Sequence, residues 1–273
     1  YIKDIFKGEN GASGNIHDLA HLSGILIYES IGFEGIKDCS SELAFGCYHG
    51  FTEKAFAKSL EKMQVVANAC EKLGPLGSGP WSSCIHGIGH GVATYFNSAA
   101  LMDALKACDT LQAGASFCHD GVFMEFAISA PSYVYNPQNP LYPCDTLQDT
   151  YKQGCGRNQT SVMRARLGLN TEEIIKICLE SRDTILKTSC IDSIGFEFAN
   201  LAKGDHKIIV EGCSLIKEMP YQAQCLAAGA GEFVFQNYSN WQEETYLACE
   251  SLANEFKALC HNRVSQTAQN YSR

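Results

Sequence analysis

The sequence has no C-x-x-C pair anywhere among its 14 cysteines. That absence argues against a zinc ribbon and a thioredoxin-type redox site, and it removes the C-x-x-C-H attachment of a c-type haem. No continuous apolar run reaches about 18 residues, so the chain carries no transmembrane segment by this criterion. Basic residues are scarce beside acidic ones, 21 against 30, and the formal net charge is -9. Such a surface repels polyanions, so nucleic acid is not an expected partner. The glycines of Gly87-Ile-Gly-His-Gly91 lack the G-x-G-x-x-G spacing of a phosphate loop, and no serine or cysteine sits in a nucleophile elbow. Hydrophobic residues make up 45% of the chain and charged residues 19%, which is the composition of a folded protein and excludes a disordered one.

What the chain does have is a period. The cysteines fall into consecutive pairs: Cys39 and Cys47, Cys70 and Cys84, Cys108 and Cys118, Cys144 and Cys155, Cys178 and Cys190, Cys213 and Cys225, Cys249 and Cys260. The two members of a pair stand 8 to 14 residues apart, and the first member recurs every 31 to 38 residues. A repeat of this length signals stacked supersecondary units. Before a first cysteine the pattern is helical, as in Leu101, Ala104, Leu105 and Cys108, with Asn97 or Ser98 as the candidate cap. Thr171 is the candidate cap for a helix carrying Ile174, Ile175 and Cys178. Ser239 or Asn240 fills that role for one with Glu243 and Glu244 in its first turn. After a second cysteine come apolar, glycine-bearing runs such as Gly121-Val-Phe-Met-Glu-Phe and Gly231-Glu-Phe-Val-Phe, which read as buried helices. Sequence does not fix connectivity, but adjacent pairing is the scheme this repeat makes natural, each bridge clamping the corner of a helical hairpin.

The expected fold is therefore all-α: an α-solenoid or toroid of about seven disulfide-stapled helical hairpins, with residues around His17 and His21 forming an N-terminal cap repeat. The chain reads as a single helical-repeat domain over 1–273. Within it lie a histidine-rich half (1–130), a loop rich in proline and tyrosine (131–143, with Tyr133, Tyr135 and Tyr142) and a histidine-poor half (144–273). The loop reads as a decorated connection or as a docking lid. So many paired cysteines point to an oxidising place, whether extracellular, periplasmic or cell-surface. The sequons at Asn158, Asn237 and Asn270 fit a secreted glycoprotein.

The run Ala107-Cys108-Asp109-Thr110-Leu111, with Cys118-His119-Asp120-Gly121 after it, resembles the A-C-[DE]-x-L…C-x-x-G pattern of the Sel1-like repeat proteins, and Cys144-Asp145-Thr146-Leu147…Cys155 is a weaker copy. That resemblance implies helical pairs with a bridge inside each repeat, and a binding or scaffolding role with a protein or glycan as partner. The turns here are longer than in that family, and its tyrosine after the glycine is missing.

Six of the eight histidines lie in the first half. Ile16-His17-Asp-Leu-Ala-His21 has the form of Ile85-His86-Gly-Ile-Gly-His90, and residues four apart on a helix share a face, so each pair aims two imidazoles at one point. His49 and His119 follow the second cysteines of their repeats. Two sets emerge, His17, His21 and His49, then His86, His90 and His119, each spanning 32 or 33 residues. This spacing is similar to the ligand counting of type-3 copper proteins, which would imply a metal site, either two mononuclear or one binuclear. Imidazole with carboxylate suits copper, zinc or iron, with copper and zinc ahead of iron. Glu53 and Glu125, near the same register, are the candidates for a general base or an extra ligand, as in a metal-dependent hydrolase or oxidase. The alternative expectation is a stapled extracellular scaffold without catalysis.

Overall fold

The computed structural model describes residues 16–39, 45–131 and 134–271, without the side chains of 16–18. Among these residues the structure is all-α. Thirteen α-helices run in order: α1 (Ile16–Ile31), α2 (Gly46–Phe56), α3 (Met63–Cys70), α4 (Gly79–Tyr95), α5 (Leu101–Cys108), α6 (Ala115–Ser129), α7 (Asp149–Ala165), α8 (Thr171–Glu180), α9 (Thr184–Ala202), α10 (His206–Cys213), α11 (Met219–Phe235), α12 (Trp241–Glu250) and α13 (Asn254–Tyr271). Two 3-10 helices, Gly32–Asp38 and Cys144–Thr146, complete the set. Two compact units form, the first ending at Val122 and the second beginning at Phe123.

All 14 cysteines are bridged in the adjacent scheme, with Cα–Cα separations of 5.5 to 5.8 Å. Six of the seven bridges join the end of a short first arm to the first half of a longer second helix, and in the seventh Cys144 opens a 3-10 turn instead. In five pairs that first arm is an α-helix (α3, α5, α8, α10, α12). In the pairs of Cys39 and Cys144 it is a 3-10 helix instead. The reason for the second exception is plain, since the four prolines between 131 and 143 deny the segment before Cys144 its helical hydrogen bonds.

The second arms carry the core. In the first unit α1 packs on α2 and α2 on α4. In the second unit α7, α9, α11 and α13 lie side by side in chain order. Tyr48, Phe51, Phe56, Ile85, Ile88 and Leu105 are buried in the first unit. Ile174, Ile191, Ile194, Ile209, Leu226 and Phe233 belong to one apolar cluster in the second. The apolar face expected on α8, Ile174, Ile175 and Cys178, is the buried one.

Glycine sets how close the second arms come. A side-chain carbon on Gly50 would collide with the backbone carbonyl of His21, one on Gly121 with that of His86, and one on Gly195 with that of Cys225. Hydroxyls cross the same gaps. Thr52 donates to the Gly87 carbonyl. Thr160 and Ser193 are hydrogen-bonded, and Ser193 also meets the Arg157 carbonyl at 2.6 Å.

The helix caps differ from the sequence expectation. The cap of α8 is Asn170, one residue before Thr171, in a full capping box with Glu173. Ala100 precedes α5 with no side-chain cap, because Asn97 and Ser98 are spent on a left-handed turn (φ 54° and 48°). Asn240 is the N-cap residue of α12 but makes no capping bond; its amide donates to the Gly204 carbonyl at 3.4 Å. Glu244 of α12 instead serves the neighbouring helix, accepting from the backbone N–H of His206 at 2.8 Å. That backbone bond is the chief reason the Glu244 carboxyl lies below its usual range.

The loop of 131–143 is anchored where it is described; Tyr133 lies outside the described residues. Tyr135 is buried and its hydroxyl donates to the Phe126 carbonyl at 2.5 Å. Burial pushes its pKa up to about 12, against the opposing charge of Arg166. Gln159 on α7 donates to the Pro140 and Tyr142 carbonyls. These ties make it a packed connection. Of the sequons, Asn237 stands exposed in the turn before α12, whereas Thr160 buries the hydroxyl that the Asn158 sequon needs. Asn270 lies in the last turn of α13, and its partner Ser272 is outside the described residues.

Each staple closes a short loop, which in the chain-entropy picture contributes about 3 kcal/mol. Replacing Cys213 and Cys225 together by alanine should therefore lower the unfolding free energy by about 2 to 4 kcal/mol in a urea titration, with helical circular dichroism retained at low denaturant.

Candidate metal centre

Four of the six singled-out histidines meet in the first unit, on three successive second arms. His21 comes from α1, His49 from α2, and His86 and His90 from α4. His17 belongs to α1, but its side chain lies outside the described residues. His49 and His90 are almost fully buried, 4% and 2% exposed. His86 and His21 are more open, at 14% and 23% of their side-chain surface.

The ring contacts are close. Nδ1 of His49 lies 3.3 Å from Nε2 of His21, and Nε2 of His90 lies 3.2 Å from Nε2 of His86. The His49 and His90 rings stack with centres 4.2 Å apart at 17°. One nitrogen from each of His49, His86 and His90 can be chosen so that all three lie within 4.8 Å of one another. Three imidazole nitrogens converging on so small a space could hold a metal ion.

Two carboxylates flank the cluster. Glu53 on α2 places Oε1 3.2 Å from Nδ1 of His21. Asp120 on α6 places Oδ2 3.2 Å from Nδ1 of His86. Glu53 was expected as a base or a ligand, and its carboxylate faces the back of a histidine ring. Asp120 carries the same relation, and it stands two residues past Cys118, as His49 and His86 stand two past Cys47 and Cys84.

His119 is brought elsewhere. It is 3% exposed, and its Nε2 meets Oδ1 of Asp109 at 2.9 Å, tying the start of α6 to the end of α5. Burial is the main influence that lowers its pKa, while Asp109 and the backbone of Leu105 act in the opposite sense without reversing it. Glu125 belongs to the second unit, where Ser129 of the same helix donates to it. His206 and His261, the two histidines outside the first half, are half-buried and paired with Glu244 at 2.7 Å and Glu250 at 3.1 Å. Asp205, His206 and Glu244 also cluster, but both carboxylates there accept backbone N–H groups at the start of α10.

Comparison with protein-family models, with curated proteins and with solved structures finds no match for this chain. What the fold and the site define is a class: a helical array of disulfide-stapled pairs with a buried histidine cluster in its first unit. Its layout is consistent with Sel1-like repeats, on architecture alone. Seven bridges point to an oxidising, non-cytoplasmic compartment. No described helix is long and apolar enough to cross a membrane.

Two outcomes are expected. Gly50→Ala forces α1 away from α2 at the very residue that carries His21, so it should cost about 1 to 3 kcal/mol in denaturant unfolding. The pH dependence of stability should include a term from His119. Its folded pKa lies below the usual 6.5, so the unfolded chain takes up the proton first. The stability contributed by neutral His119 is complete above pH 6.5 and is lost as pH falls from there through the folded value. Unfolding curves recorded from about pH 7.5 down to about pH 5 should be flatter for His119→Gln than for the parent protein, and equal slopes would refute the assignment.

Proposed function

We propose that this protein is an exported metal-binding protein whose first unit holds a divalent transition ion, zinc or copper, at His49, His86 and His90. The observation that carries this reading is the convergence of three imidazole nitrogens, two of the rings almost fully buried, within 4.8 Å. Imidazoles brought this close together present several nitrogen lone pairs to one small space. A bound cation satisfies several such lone pairs at once. The same burial favours holding the ion over turning over a substrate, so storage or carriage of the metal is preferred to a hydrolase or oxidase. The stapled array supplies rigidity, which keeps the ligands from rearranging to suit a wrong ion.

Elemental mass spectrometry of protein purified without chelators or affinity metals tests this directly. About one equivalent of zinc or copper is expected. A His86→Ala/His90→Ala variant should contain none while keeping its helical spectrum and all seven bridges. Metal-free protein that also takes up neither ion on titration would overturn the reading and leave a stapled scaffold as the account of the fold.

A further inference from the structure

We infer that the cluster is a single closed cage of four nitrogens, with His21 as the fourth ligand beside His49, His86 and His90, and that Glu53 and Asp120 are positioning residues for its two outer histidines. This rests on the metal-binding reading above. It adds a ligand count, a coordination geometry and a role for two carboxylates.

The first support is distance. Four imidazoles bound at about 2.05 Å around a tetrahedral ion place their nitrogens about 3.3 Å apart and their ring centres about 5.2 Å apart. The nitrogen contacts present are 3.3 Å between His21 and His49 and 3.2 Å between His86 and His90. The ring centres are 5.1 Å apart for His21 and His49, 5.3 Å for His49 and His86, and 5.1 Å for His86 and His90. Of the five separations given by these ring contacts, the other two depart from the ideal in opposite directions. The His49–His90 stack is short at 4.2 Å, and His21 stands 6.4 Å from His90. A tetrahedral shell therefore requires the His49–His90 stack to open and His21 to draw in toward His90, each by about 1 Å.

The second support is the state of the outer rings. An ionised carboxylate only accepts, so the Nδ1 that faces Glu53 on His21, and the one that faces Asp120 on His86, carries the proton and donates it. Each of these rings then presents the lone pair of Nε2, and those are the two atoms that face the inner histidines. A histidine backed by a carboxylate in this way is a better and better-aimed metal ligand. Both carboxylates act from the next second arm along the chain, Glu53 of α2 on α1 and Asp120 of α6 on α4. The cage is therefore a property of four successive arms. Four protein nitrogens leave no open position, which makes this a closed site for a zinc- or copper-class ion.

Cobalt(II) serves as the probe, because its visible bands are intense in a four-coordinate site and weak when solvent raises the coordination number. The parent protein should bind one equivalent with an intense band. His21→Ala should still bind, at least about ten-fold more weakly and with a weakened, shifted band as water enters; His21→Gln gives the same reading should the alanine variant lose its helical spectrum. Glu53→Gln and Asp120→Asn should keep the band and weaken zinc binding, measured by competition, by about 10- to 100-fold. An unchanged band and affinity in the His21 variants would overturn the fourth ligand and leave the three-histidine site standing. Unchanged affinity in both carboxylate variants would overturn their positioning role. Failure of the parent protein to take up cobalt or zinc would overturn this inference together with the reading beneath it.

Discussion

The structure depends on the close approach of consecutive second arms at glycine. Ordinary helices pack with axes about 8 to 10 Å apart, held off by their side chains. Here Gly50 faces the carbonyl of His21, and Gly121 faces that of His86, with no room for another carbon. The turns that carry the outer histidines are thus among the turns in tightest contact with the next helix. Imidazole is a short side chain, and rings on neighbouring helices touch only because the backbones have come so near. The same approach lets a carboxylate on the next arm reach the back of the ring.

The bridges supply the other half of the arrangement. Each fixes where a second arm begins relative to its first arm, and so fixes the direction in which the residues just after the second cysteine point. His49 and His86 each stand two residues past such a cysteine, and the staple sets their azimuth. Thr52 and Thr160 hold matching places further along and do matching work, each bonding to the next arm. Where the second unit lacks histidine in this register, Arg157 and Asp192 stand there instead, and Asp192 accepts from Gln224 at 2.9 Å. One scaffold thus carries an imidazole cluster in one unit and polar cross-links in the other.

Much of this was legible in the sequence. The cysteine period made the hairpins legible and adjacent pairing the natural scheme, because each staple is local and spacing along the chain is spacing in the fold. The H-x-x-x-H pattern showed that His86 and His90 share a face. What spacing could not show is which arm turns toward which. Two sets of three were expected, yet His49 meets His90, a member of the other set, because α2 packs directly on α4. His119 was lost from its set for a simple reason. It stands one residue early in the register, and one residue on a helix is a rotation of about 100°, which turns it toward Asp109 and leaves Asp120 facing His86. The misplaced cap of α5 has a similar origin, since Asn and Ser serve a left-handed turn as readily as a helix start.

The absence of any free thiol reaches beyond stability. Thiolate is the group through which soft ions are captured and passed between proteins. Here every cysteine sulfur is committed to a bridge, so an ion held as proposed would be selected by histidine nitrogen without any thiolate. Such an ion would have no thiolate path by which to leave. It would exchange with its surroundings through water and histidine, on terms set by ring geometry and not by the redox state of a thiol pool.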